Sequence, residues 1–125
     1  MTKEIDISEA EFEVMKAIWQ NNPATAKDLL KNLDKDWHLK TLNTLLGRLV
    51  KKGALSYEKS GREYIYSPLI EQDSYIKQKS KSFLHKLFGG RLSPLVAHFS
   101  KHDDLRQEDI DALKKLIDDW ESKND

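Results

Sequence analysis

"WHLKTLNTLLGRLVKKGAL", residues 37–55, carries two faces that want different surroundings. Leu42, Leu45, Leu46, Leu49 and Val50 recur at three- and four-residue spacing, which stacks their side chains along one side of a helix and turns that side toward a core. The other side carries Lys40, Thr41, Asn43, Thr44, Gly47, Arg48 and Lys51: hydrogen-bonding groups and positive charge, with no carboxylate. Gly53 can take the left-handed cap that ends such a helix.

Two helices precede this one. "SEAE" opens the first, where Ser8 can cap and Glu11 can reach back to form a capping box. Phe12, Met15, Ile18 and Trp19 make its apolar stripe, and "NNP" at 21–23 ends it, because the residue before proline is pushed out of helical geometry. "TAKDLLKNL" predicts a short second helix with Thr25 as cap and Ala26, Leu29, Leu30 and Leu33 facing inward. After Gly53 the period becomes alternating. "LSYEK", "SG" and "REYIYS" predict a hairpin turning at Ser60 and Gly61, with Tyr57 opposite Tyr64, Leu55 opposite Tyr66, and Glu58 opposite Glu63. This puts Leu55, Tyr57, Tyr64 and Tyr66 on one face and Lys59 and Arg62 at the tip.

Beyond Pro68 the pattern is helical again. One helix runs from about residue 70 to the glycines at 89 and 90, a second starts with Ser93 as cap and Pro94 at the first helical position, and a third covers about 106–122. Their apolar positions are Ile76, Phe83, Leu84, Leu87, Phe88, Leu95, Phe99, Ile110, Leu113, Leu116, Ile117 and Trp120. Some 55 residues with stripes this sparse make a marginal core, since domains of about that size bury only about 60% of their surface. A second copy of the same helices supplies the missing partner, so these residues are expected to dimerise. The expected organisation is residues 1–69 as one domain and 70–125 as a dimerisation element.

The 125 residues suit one domain, or a small domain with an appendage. Lysine plus arginine number 21, as do aspartate plus glutamate, so the overall balance predicts no affinity for nucleic acid or membrane. The distribution is uneven. Between Lys35 and Arg62 seven cations face two carboxylates, Asp36 and Glu58, a net charge of +5. With no cysteine there is no disulfide framework, thiolate metal site or thiol nucleophile. No apolar run reaches the roughly 18 residues of a membrane span, and the N-terminus lacks a signal peptide's basic-then-apolar order, so a soluble cytoplasmic protein without membrane binding of its own is expected.

Three helices followed by a hairpin, the third helix basic and polar outward, is the order of a winged helix-turn-helix. The fold class is therefore mainly α with a small β-hairpin: a winged helix-turn-helix plus a C-terminal helical dimerisation element. In such a fold the third helix enters the major groove of double-stranded DNA and the hairpin tip touches the backbone. Base reading needs donors and acceptors, and phosphates need cations. Asn43 suits a bidentate bond to adenine, Arg48 guanine or a phosphate, and the methyls of Thr41 and Thr44 a thymine methyl. Lys40, Lys51, Lys52, Lys59 and Arg62 are expected to be positioning contacts, and His38 to meet a phosphate or water. Gly47 costs about 1 kcal/mol in a helix relative to alanine, which close approach to the sugar-phosphate backbone would explain. The rival reading of this face is an ordinary solvated surface, and of the whole chain a winged-helix protein-interaction module that binds no DNA.

"ISEAEFEVMKAIW" at 7–19, the run W-x-x-K-T-L-x-T-L-L-x-R-L-x-K-K-G at 37–53, "GREYIYSP" at 61–68, "FLHKLFGG" from 83 and "LVAHFSKHDDLRQEDIDALKKLI" to 117 together resemble the BlaI/MecI/CopY family of bacterial repressors. The likeness covers almost the whole chain in order. It implies a homodimer, swapped or intertwined through its C-terminal helices, that binds a palindromic operator with TACA and TGTA half-sites and blocks transcription. Lys40, Thr41, Thr44 and Arg48 match the family's recognition helix; Asn43 stands where β-lactamase-type members commonly have arginine, and Leu39 where they have proline. In that branch a membrane sensor-protease triggers cleavage at an Asn-Phe bond in the C-terminal region. His98 and Phe99 occupy that place here, so the phenylalanine matches and the asparagine does not. Copper-responsive members use C-terminal cysteine pairs, and a cysteine-free chain excludes that switch.

No chemistry-bearing constellation competes with this reading. His98 and His102 lie four apart, a spacing that can offer two imidazoles to a metal, but with no third ligand of clear geometry they read as a solvated pair. Paired carboxylates in a cleft, a glycine-rich phosphate loop and a Ser-His-Asp order are all missing from the pattern, so no enzyme, cofactor or metal site is expected.

Overall fold

The computed structural model describes residues 5–102 and 104–124. In chain order the elements are α1 (Glu9–Gln20), β1 (Ala24–Thr25), α2 (Ala26–Asn32), α3 (Leu39–Lys51), β2 (Leu55–Ser60), β3 (Glu63–Pro68), α4 (Gln72–Phe88), α5 (Ser93–Lys101) and α6 (Gln107–Lys123). The chain divides into two compact units, one up to Gln78 and one from Lys79 on, the division falling inside α4.

In the first unit α1 starts as its sequence predicts. The Ser8 hydroxyl accepts from the Glu11 N–H, and the Glu11 carboxylate accepts from the Ser8 N–H at 2.9 Å. Thr25 and Asp28 form the same reciprocal box at the start of α2. The core gathers Val14, Met15, Ala17 and Ile18 of α1, Leu29 of α2, and Leu42, Leu45, Leu46 and Leu49 of α3, closed by Ala54 and Leu55. Each fully enclosed leucine contributes about 1.5–3 kcal/mol of burial, and α3 supplies four buried leucines, so its position is set from the apolar side. Gly53, with φ +83°, turns the chain out of α3 into β2.

The sheet has three antiparallel strands in the order β1-β3-β2, one more than the sequence predicts. β1 is only two residues long, pairing Ala24 with Tyr66 and Thr25 with Ile65, too short to leave a periodic signal. The hairpin register also departs from expectation. Tyr57 pairs with Tyr66, Glu58 with Ile65, Lys59 with Tyr64 and Ser60 with Glu63, so the two-residue loop is Gly61–Arg62. Gly61 has φ +64° and stands first in that loop, where a primed hairpin turn requires a positive φ; the expected turn would have demanded it of Ser60. The slip is two residues, which preserves the faces, and it removes the Glu58–Glu63 opposition by setting Ile65 across from Glu58.

Past the hairpin, Trp19 donates its indole N–H to the Ile70 carbonyl at 2.9 Å. The Tyr75 ring lies 5.8 Å from both Phe12 and Trp19. This aromatic cluster joins the chain at Ile70 and Tyr75 to the first unit.

In the second unit α5 begins differently from expectation. Leu92 holds the cap position without a side-chain bond, and Ser93 lies inside the helix with Pro94 in its first turn. Neither α5 nor α6 contains a buried residue. Leu116, Ile117 and Trp120 are 64%, 55% and 65% exposed, and Phe83, Leu87 and Phe99 are also exposed, while Leu84, Phe88, Leu95, Ile110 and Leu113 are half-buried. Ile76 is exposed too, and lies in the first unit. A groove of about 830 Å³ runs between α5 and α6, lined by Leu92, Val96, Ile110, Leu113, Ile117 and Trp120 among others.

Candidate nucleic-acid interface

With its leucines inside, α3 turns Lys40, Thr41, Asn43, Thr44, Gly47, Arg48 and Lys51 to solvent. The Thr44 hydroxyl donates to the Lys40 carbonyl at 3.0 Å, which satisfies it within the helix and leaves the methyl as the outward group. A methyl Cβ built on Gly47 meets nothing within 4 Å, so no packing within the chain calls for glycine there. Arg48 and Lys51 sit in the last turn of α3, and its first turn holds no acid. His38 is the N-cap residue, makes no side-chain capping bond, and is exposed.

Lys52 is different. Its ammonium is held by the Glu11 carboxylate and donates to the Asp6 carbonyl at 2.7 Å. Glu11 is 1% exposed, and burial pushes its carboxyl up, but the Lys52 ammonium and the Ser8 hydrogen bonds outweigh that and hold it below the ordinary carboxylate range. Lys52 therefore ties the end of α3 to the start of α1, with its charge paired inside the chain. The sequence hid this because the partners lie 41 positions apart.

The hairpin brings its own groups to α3. Asn43 and Leu39 line one cleft with Arg62, Glu63 and Tyr64 of the hairpin and with Thr25 and Lys27 of the β1–α2 segment. Lys59 and Arg62 are exposed at the tip end. Tyr57 and Tyr64 are exposed aromatics, rings 5.2 Å apart and edge to face, while burial holds the Tyr66 hydroxyl above the ordinary tyrosine range, with Tyr64 and Tyr57 adding to the shift. Lys27 and Tyr64 are residues that sequence reasoning passed over. Lys27 stands beside Asp28 in a segment of mixed charge, and only the fold carries it to α3.

The second unit places His98 and Phe99 side by side in α5, both exposed. The bond between them is helical backbone, not an extended loop. His98 and His102 rings are 4.7 Å apart, and among the described residues no group of three or more histidines, cysteines or acids is placed to hold a metal. Among the same residues, no helix is long and apolar enough to cross a membrane.

Comparison with known proteins agrees with this geometry. The family described as penicillinase repressor matches residues 7–119. The penicillinase repressor of Bacillus licheniformis is 39% identical and is covered at 98% of both chains. The methicillin resistance regulatory protein MecI of Staphylococcus aureus strain N315 is 35% identical, over 92% of this chain and 95% of its own. A solution structure of the Bacillus licheniformis BlaI monomeric form in complex with the blaP half-operator is 44% identical over 61% of this chain and 95% of that one, with a TM-score of 0.51. The fold is thus the winged helix of a repressor's DNA-binding domain, extended by further helices, and the chain belongs to the penicillinase repressor family.

Proposed function

We propose that this protein is a sequence-specific DNA-binding transcriptional repressor of the cytoplasm, with no catalytic activity, that acts as a homodimer on a palindromic operator with TACA/TGTA-type half-sites. The observation that carries the DNA reading is the outward face of α3: seven exposed residues, three of them cationic and none acidic, on a helix whose other side is pinned by four leucines. Major-groove entry needs such a protruding helix, with hydrogen-bonding groups at base edges and cations toward the phosphates. Asn43, Arg48, Thr41 and Thr44 read bases; Lys40, Lys51, Lys59, Arg62 and His38 position the backbone.

The dimer reading is supported by α5 and α6, which leave Leu116, Ile117 and Trp120 in water. A second copy covering this face makes two recognition helices available to two half-sites. A membrane sensor-protease that relieves repression by cutting at His98–Phe99 must first unwind α5, since that bond lies inside the helix. Selection of bound duplexes from a random pool with purified protein, repeated at about 50 and 200 mM salt, tests the proposal. A palindrome whose affinity falls by orders of magnitude with salt is the expected result. No enrichment at either salt overturns it in favour of a protein-interaction module.

A further inference from the structure

The cleft beside Asn43 has a composition that base reading does not use. It is small, about 180 Å³, room for a few groups and their waters at about 30 Å³ each. Its cations are Lys27 and Arg62, and its one acid is Glu63. Among the described residues neither cation has an ion-pair partner. The carboxylate nearest Lys27 in sequence, Asp28, is committed elsewhere, accepting the Thr25 N–H at 3.2 Å in the α2 capping box. Tyr64 is 45% exposed yet set in place by the Tyr57 ring, an edge-to-face pair worth about 0.5–1.5 kcal/mol beyond burial, and among the described residues no hydrogen bond engages its hydroxyl. The walls also include Leu39, so the free donors face a partly apolar recess, which strengthens their field.

We propose that this cleft grips a DNA phosphodiester flanking the bases met by α3, with Lys27 neutralising it and the Tyr64 hydroxyl donating to a phosphate oxygen. Both are positioning residues, outside the polar face of α3, and they fix how far Asn43 reaches into the groove. The proposal rests on the DNA-binding reading above. The cleft discriminates no base, so its contribution is the same on every sequence.

The test uses full-length protein and the duplex recovered by selection, with binding read by fluorescence anisotropy across salt. One neutralised phosphate changes the salt slope by about 0.9, so wild type should lose about three- to fourfold more affinity than Lys27→Ala between 50 and 200 mM salt. Tyr64→Phe should weaken binding severalfold with the slope unchanged. A neutral methylphosphonate linkage moved along the operator should find one position that weakens wild type and leaves Lys27→Ala unaffected. Lys27 is exposed, so an unchanged thermal melt verifies that the variant folds. An unchanged slope with no such linkage position overturns the proposal. So does displacement of the duplex by inorganic phosphate at matched ionic strength from wild type but not from Lys27→Ala, which would make the cleft a free-anion site. Failure of wild type to bind any duplex refutes instead the parent reading.

Discussion

Glu11→Gln isolates the ion pair that anchors the end of α3. The glutamine keeps the shape and an acceptor oxygen for the Ser8 N–H, and removes only the charge that meets Lys52. Breaking a fully enclosed pair from one side costs about 3–5 kcal/mol, and an exposed pair is worth about 0–1. Here the Glu11 side chain is 2% exposed and the Lys52 side chain 36%, so water partly re-solvates the lysine when its partner is neutralised. The expected loss lies between those limits, about 2 kcal/mol at pH 7. The pH dependence is more specific. Because the folded-state carboxyl is held below its ordinary value, the pair's contribution is complete above the unfolded pKa near 4.5 and fades as pH falls through the lower folded value. The stability gap between wild type and variant should therefore narrow on acidification from about pH 5 downward. Urea unfolding followed by tryptophan fluorescence reads it, since Trp19 lies on the same helix as Glu11. A gap below about 0.5 kcal/mol at pH 7, or one that holds constant into acid, would refute the account.

Gly47→Ala should stabilise the first unit by about 0.5–1 kcal/mol, because helix propensity favours alanine and the methyl meets nothing within 4 Å; thermal melting checks it, and a lower midpoint would reveal an unseen clash. Arg48→Ala should weaken operator binding without changing sedimentation, with a salt slope lower by about 0.9 if it meets a phosphate. Lys52→Ala should instead lower stability and leave the slope untouched; the opposite pattern would place Lys52 in the interface. Leu116→Asp should shift sedimentation to the monomer while the first unit melts as before, since Leu116 is already 64% exposed in the single chain. An unchanged mass would refute the assignment of a dimer contact to Leu116.

Features carried by neighbours in sequence were legible. The Ser8–Glu11 box spans three residues, Thr25 caps α2 as its residue type suggests, and the α3 leucines declare their face by spacing alone. Alternation has a period of two and therefore reports a strand's faces but cannot separate registers that differ by two; the position of Gly61 in the loop decided between them. β1 and the engagement of Lys52 depend on partners about 40 residues away, Tyr66 and Glu11, which no local pattern records. The same holds for the candidate interface. The α3 face could be listed from the sequence, whereas the approach of Lys27 to Asn43 and Tyr64 exists only once β1, α2 and β3 have met.

β3 is the middle strand, bonded to β2 on one side and to β1 on the other through Tyr66 and Ile65. The hairpin is consequently a cantilever, held by strand pairing at Ile65 and Tyr66 and free of strand pairing at Gly61–Arg62. Lengthening or retyping the tip therefore changes how far the hairpin projects without a change in the pairing at Ile65 and Tyr66. A change at Tyr66 has the opposite character: through Ala24 it is passed straight to the start of α2, and the fulcrum moves with it.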